Sequence, residues 1–313
     1  MPPSATSRAK SPAKCDNVRG AHPELALERS IEEGRAIRRG DRVTIACSGG
    51  PDSVALAAAL HAIAKPMELT LAIAHVNHGI RASAWQDECV VLRIAATFDM
   101  PCDTIGLQMQ ARDEASLRDA RYAALVESAA RAGSNVIATA HHAEDQTETV
   151  LLALFRGAGS EGIAGMRARR AIAEGIELVR PLLRAPSSEL IAYCQTRALP
   201  YAIDPTNADA GLRRNAVREA LDALRPVFPG LDPAVARAAE ITGEEREGSP
   251  RAGLRRSVRE RLGQEHDLRD VDFAHVEAVV RAIERGASGS FHMKPGVRLE
   301  IEAGSIARVV VDP

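Results

Sequence analysis

Aromatic side chains are scarce, with one Trp, three Tyr and five Phe in 313 residues. So few rings argue against a base-stacking platform for single-stranded nucleic acid. Cysteine is sparse and odd in number: Cys15, Cys47, Cys89, Cys102 and Cys194, with no CxxC pair. This indicates neither a disulfide framework nor a zinc site. No apolar run reaches the ~20 residues that span a bilayer, and the basic N-terminus lacks an apolar signal core. No membrane partner is expected, and the default location is the cytoplasm. The net charge of −2 excludes a global basic field. Any nucleic-acid surface must be a local patch.

The length suggests about two domains. Residues 1–20, rich in Ser, Pro, Ala and basic side chains, read as a disordered tail. A short helix follows over residues 23–39. From Arg42 the pattern alternates: strands at 43–47, 69–74, 101–106, 135–140 and 176–181, with helices at 54–60, 83–98 (Ser83 as N-cap), 114–132, 144–155 and 187–197. Repeated βα units imply α/β architecture, a doubly wound parallel sheet covered on both faces. Asp204-Pro205-Thr206-Asn207 is a turn, and Gly211 opens a basic helix carrying Arg214, Asn215 and Arg218. The charged stretch 244–250 marks an inter-domain linker. Helices at 252–262 and 272–285 and strands at 290–293, 297–301 and 306–311 make a smaller α+β C-terminal domain. The expected division is tail 1–20, catalytic domain 21–218, helical linker 219–250 and C-terminal domain 251–313.

Three stretches carry chemistry. The first is Ser48-Gly49-Gly50-Pro51-Asp52-Ser53, a strand-to-helix turn. It has neither the Gly-Lys-Ser/Thr ending of a Walker A loop nor GxGxxG spacing. Its glycines let backbone approach a ligand, and the helix start attracts phosphate. An ordinary capped glycine turn would look similar. The second is His75-Val76-Asn77-His78-Gly79-Ile80-Arg81, directly after the second strand. The third is His141-His142-Ala143-Glu144-Asp145-Gln146-Thr147-Glu148-Thr149, where His141, Asp145 and Glu148 share a helix face. That face suits a metal, yet HExxH spacing is absent, and an acidic first turn is also an ordinary helix start. The loops after Cys47, around His75 and at His141 all lie at strand ends and so converge on one crevice.

The full Ser-Gly-Gly-x-Asp-Ser loop resembles the PP-loop of the ATP pyrophosphatases. The other two stretches, with Arg118, Arg121-Tyr122, Arg156-Gly157-x-Gly159, Gly162 to Met166, Arg180-Pro181-Leu182 and Arg214-Asn215, are similar to the tRNA(Ile)-lysidine synthetase family. Ile80 stands where Leu is usual, and Glu144 where Asp is frequent. The likeness is strong from about Gly40 to Arg218, and the C-terminal part is short for the family. The resemblance implies an adenine-nucleotide α-hydrolase-like fold and a ligase that forms a C–N bond. ATP adenylates C2 of the wobble cytidine of a tRNA(Ile) with a CAU anticodon, and free lysine displaces AMP. It implies that Ser48, Gly49, Gly50, Pro51, Asp52 and Ser53 bind ATP, with Asp52 holding Mg²⁺. Asp145 and Glu148 would hold lysine, and Arg121 would stabilise phosphate or the intermediate. Arg214 and Arg218 would meet the tRNA backbone, or simply form a solvated face. The five arginines Arg251, Arg255, Arg256, Arg259 and Arg261 would add tRNA affinity. A homodimer is compatible with these roles. The rivals are a tRNA thiolase, against which the missing CxxC pairs weigh, and a nonenzymatic nucleotide- or tRNA-binding module.

Overall fold

The computed structural model describes residues 23–34, 36–77, 84–107, 114–202, 212–264, 271 and 273–311. The tail, the Ser83 cap, residues 78–81, the turn at 204–207 and Gly211 lie outside the described residues.

The elements run α1 (Pro23–Glu33), β1 (Arg42–Ala46), α2 (Pro51–Ala64), β2 (Thr70–Asn77), α3 (Ala84–Thr97), β3 (Cys102–Gly106), α4 (Glu114–Arg131), β4 (Val136–Ala138) and α5 (Ala143–Phe155). Then come α6 (Ser160–Ile163), β5 (Arg169–Ala173), β6 (Ile176–Val179), α7 (Ser187–Thr196), α8 (Leu212–Leu224), α9 (Leu231–Arg246), α10 (Pro250–Gly263), α11 (Phe273–Glu284), β7 (Gly289–Lys294), β8 (Val297–Glu302) and β9 (Ser305–Val311).

The large sheet has the order β3-β2-β1-β4-β6-β5. All neighbours pair in parallel except β5, which runs antiparallel to β6. Alternation along the strands fills both faces. Val43, Ile45, Ile73, Val136, Ala138 and Val179 point into one core with α1, α2, α3 and α7. Ala46, Ala74, Ile137 and Leu178 point into the other, against Leu125 and Ala129 of α4. This is the expected doubly wound α/β sheet. Helix α2 is buried along its whole length from Ser53 to Leu60, consistent with its unbroken apolar run.

Two expectations are corrected. The second strand does not end at Ala74: His75, Val76 and Asn77 continue the parallel ladder opposite Thr104, Ile105 and Gly106. His75 is therefore a buried strand residue. Strand β5 was not expected. It carries two arginines, and its edge position relieves it of a continuous apolar pattern.

The smaller antiparallel sheet, β7-β8-β9, packs Met293, Val297, Leu299 and Ile301 against Val258 and Leu262 of α10 and Val276, Val279 and Val280 of α11. The charged stretch 244–250 is the end of α9 and the turn into α10. Ser249 caps α10, its hydroxyl accepting from the Ala252 amide at 3.1 Å. Among the described residues, no helix is long and apolar enough to cross a membrane.

Candidate active site

The order of strands reverses at β1, which has β2 on one side and β4 on the other. The crevice at the carboxyl ends of β1 and β4 is where such sheets bind ligands. The loop after β1 is held rigidly. The Ser53 hydroxyl, almost fully buried, accepts from the Ser48 amide at 3.1 Å and donates to the Gly50 carbonyl at 2.9 Å. Gly49 has φ +90°, and a Cβ there would lie 2.9 Å from the Asp87 carbonyl oxygen, so only glycine fits. Its own carbonyl accepts from the Ala202 amide at 2.9 Å. Behind the loop, His75 Nδ1 lies 2.9 Å from the Cys47 carbonyl, and its buried Nε2 has no partner among the described residues. Pro51 opens α2 at a position where its missing N–H costs nothing. Asp52, in the first turn, keeps a third of its side chain exposed.

Helix α5 starts beside it. His142 is ringed by carboxylates: Glu144 at 2.9 Å from Nδ1, and Asp145 and Asp52 at 3.5 and 3.7 Å from Nε2. Burial opposes its charge, but the Glu144 hydrogen bond and the three acids win and hold its pKa up at about 9. Burial would likewise raise Glu144, yet His142 and the Ser187 amide bring it down to about 2. Burial, then the nearby Asp145 and Glu144, push the Asp52 carboxyl above its ordinary value against the pull of His142. Asp145 also accepts from the His142 amide at 3.1 Å, fixing the helix start.

The sequence-predicted residues Asp52 and Asp145 thus meet across His142. Glu148 does not face open space. It is buried, and its oxygens accept from Arg214 Nε at 2.7 Å and Arg218 Nε at 2.8 Å. Arg214 also reaches to 4.0 Å from Asp145. These two arginines therefore tie α8 to α5.

Arg121, on α4, acts electrostatically on His141 together with Arg180 and Arg118. Arg118 lies over the Tyr122 ring at 5.7 Å, and the Arg180 guanidinium donates to the Arg167 carbonyl at 2.8 Å. His141 Nδ1 sits 2.9 Å from the Thr139 hydroxyl. Burial first, then Arg180, Arg121 and Arg118, pull the His141 pKa down to about 3.

Two structural roles within these motifs are not visible in the sequence. Buried Gln146 donates to the Met166 carbonyl at 3.0 Å and accepts from its amide at 2.8 Å. A Cβ at Gly165, where φ is +59°, would collide with that amide. Glu144 faces inward to His142 and Ser187. Neither has a local periodic signal, because both partners lie at unpatterned separations. In the C-terminal part, Arg255 is buried between Glu277, at 2.5 Å, and Glu244, and Arg251 pairs with Glu277 and Glu284. These two arginines are internal ties, whereas Arg256 and Arg259 are exposed.

A family profile for the PP-loop domain matches residues 23–224. The chain is 34% identical over 297 residues to the tRNA(Ile)-lysidine synthase of Geobacter sulfurreducens, covering 82% of this chain and 62% of that protein. It is 38% identical over 228 residues to the tRNA(Ile)-lysidine synthase of Salinispora arenicola, covering 71% of this chain and 68% of that protein. The chain thus spans less than two thirds of the Geobacter relative. Among solved structures, the U34-tRNA thiolase of Methanococcus maripaludis matches with a TM-score of 0.60 at 18% identity, over 70% of this chain and 78% of that one. At that identity the likeness is one of fold.

Proposed function

The chain belongs to the tRNA(Ile)-lysidine synthase family of PP-loop proteins, and we propose that it uses ATP to join free lysine to the wobble cytidine of a tRNA(Ile) with a CAU anticodon. The carrying observation is a rigid glycine loop opening a buried helix at the reversal of strand order, with the acidic start of α5 beside it. In this reaction the C2 oxygen of cytosine attacks the α-phosphate and pyrophosphate leaves. The lysine ε-amine then attacks C2, loses its proton, and AMP departs. The cytosine must first leave its stack.

The backbone of residues 48–53 and the α2 dipole suit the pyrophosphate. Mg²⁺ is typically held by one or two carboxylates together with substrate phosphates. The part-exposed carboxylate of Asp52 fits that donor set. Bound there, the ion would neutralise charge on the leaving pyrophosphate. Asp145, less than a quarter exposed, receives a lysine ammonium. Glu148 serves the same site by holding Arg214 and Arg218, and hence α8, beside Asp145. Arg121 meets phosphate or the adenylated intermediate.

The proposed division is a catalytic part 21–218, a helical linker 219–250 and a C-terminal part 251–313 that adds tRNA affinity. Exposed Arg256 and Arg259 support the last role. A cytoplasmic site of action follows from the tRNA substrate. Exposed Leu154 and Phe155 on α5, with Leu224 on α8 and Val227 and Phe228 beyond it, support a homodimer.

The test is to incubate the protein with ATP, lysine and a tRNA(Ile) bearing CAU, digest the RNA and weigh its nucleosides. The expected product is cytidine extended by one lysine with loss of water. Unmodified cytidine under these conditions would contradict the proposal.

A further inference from the structure

We propose that Arg180 forms an oxyanion subsite beside the ATP loop that binds a carboxylate or phosphate group of a reactant. The inference rests on the reaction proposed above for the identity of the reactants.

The residue follows Val179 directly, at the carboxyl end of β6. It is only 3% exposed. Its Nη1 donates to the Arg167 carbonyl at 2.8 Å. Among the described residues, its buried Nε has no acceptor.

A guanidinium taken out of water needs a partner charge. Two other arginines with little-exposed side chains have one. Arg169 bonds Asp41 at 2.9 Å and Glu177 at 2.5 Å, and Arg255 bonds Glu277 at 2.5 Å. No carboxylate among the described residues pairs with Arg180, Arg121 or Arg118. The neighbours instead add positive charge, and the same field depresses the pKa of His141. A guanidinium held between one neutral carbonyl oxygen and further cations is completed by an anion from outside.

The location narrows the ligand. Arg180 stands two strands from β1, since β4 lies between. At typical strand spacing that is roughly 10 Å from the ATP loop. The start of α5, with Asp145, follows the intervening strand. A zwitterionic amino acid lying across the end of β4 would set an ammonium at Asp145 and its carboxylate at Arg180. A nucleotide phosphate would present the same oxygens.

The experiment compares wild type with Arg180→Gln in steady-state kinetics, varying L-lysine, L-lysine methyl ester and ATP in turn. A carboxylate ligand is expected to raise KM for lysine by ~10-fold or more, as for a lost charge-assisted hydrogen bond, with the ester and ATP unmoved. A phosphate ligand raises KM for ATP and leaves lysine unmoved. Either result supports the subsite. A folded variant with unchanged KM for both, whatever its kcat, overturns it. If Arg180→Gln does not fold, Arg180→Lys undergoes the same comparison. Should wild type make no lysidine, the functional reading has failed. Calorimetric titration of wild type and variant with L-lysine and with AMP then decides the subsite alone, and equal binding of both ligands overturns it.

Discussion

Glu148 on α5 accepts a 2.8 Å hydrogen bond from Arg218 Nε on α8, across 70 residues of chain. Arg214 Nε completes the grip at 2.7 Å. Burial opposes the Glu148 charge, but the two guanidiniums hold its carboxyl below the usual range. Removing one member of such a group leaves the others uncompensated. Glu148→Gln should therefore cost about 1–3 kcal/mol of stability. Asp145→Asn should cost under about 1 kcal/mol, because its carboxylate is more exposed and makes fewer contacts. Urea midpoints for the two variants check the ordering, and equal values would remove the distinction in their roles.

The ATP loop depends on one hydroxyl and one glycine. Ser53→Ala loses both loop-closing bonds, to the Ser48 amide and the Gly50 carbonyl. Gly49→Ala adds a Cβ at φ +90° and 2.9 Å from the Asp87 carbonyl oxygen. Each is expected to raise KM for ATP by ~10-fold or more, a loss of about 1.4 kcal/mol or greater. ATP titrations of the two variants settle this, and unchanged KM in both would mean the loop does not shape the nucleotide site.

His141 gives the fold an acid limit. Its folded-state pKa, about 3, lies below its ordinary 6.5 because burial and the facing Arg180, Arg121, Arg118 and His142 disfavour its charge. The unfolded chain therefore binds a proton first. The stability contributed is complete above pH 6.5 and is lost as pH falls toward about 3. The slope approaches ~1.4 kcal/mol per pH unit for one such group. His142 runs the other way: its raised pKa stabilises the fold below 6.5, and that contribution fades as pH rises through about 9. Denaturation midpoints at pH 7 and pH 5 should converge in His141→Asn relative to wild type. Parallel behaviour of the two proteins would refute the assignment.

On α10, buried and exposed arginines should separate cleanly. Arg255→Met breaks a buried network with Glu277 and Glu244 and should lower the melting temperature. Arg256→Ala with Arg259→Ala should leave melting unchanged. It should weaken tRNA binding and reduce the slope of log K against log salt by roughly 1–2, as expected for two lost phosphate contacts. A salt slope that does not change would exclude α10 from the RNA surface.

Much of this was legible in the sequence because the central strands and α2 are apolar and β-branched or helix-forming over their whole length. Val43 to Ala46, and the run from Val54 to Leu60, carry the pattern of their burial. The loop at 48–53 is legible for the same reason, lying between two such runs. Less legible was whatever depends on distant partners. His75 continues β2 because β3 offers it a ladder, not because of its own propensity. Glu148 looks like a ligand acid on its helix face, and only α8, some 70 residues later, reveals its two arginines. Arg180 was legible as part of the Arg180-Pro181-Leu182 stretch of the family resemblance, but nothing local announces its buried Nε without an acceptor among the described residues.

Under the proposed reaction one crevice runs two successive steps, with Asp52 serving the first and Asp145 the second. The direct measurement resolves AMP-modified tRNA from lysine-modified tRNA by mass in single-turnover reactions of wild type, Asp52→Asn and Asp145→Asn. Asp52→Asn is expected to form neither species. Asp145→Asn is expected to accumulate adenylated tRNA while lysine transfer falls by ~10-fold or more. Equal loss of both steps in Asp145→Asn, or undiminished adenylation in Asp52→Asn, would contradict it.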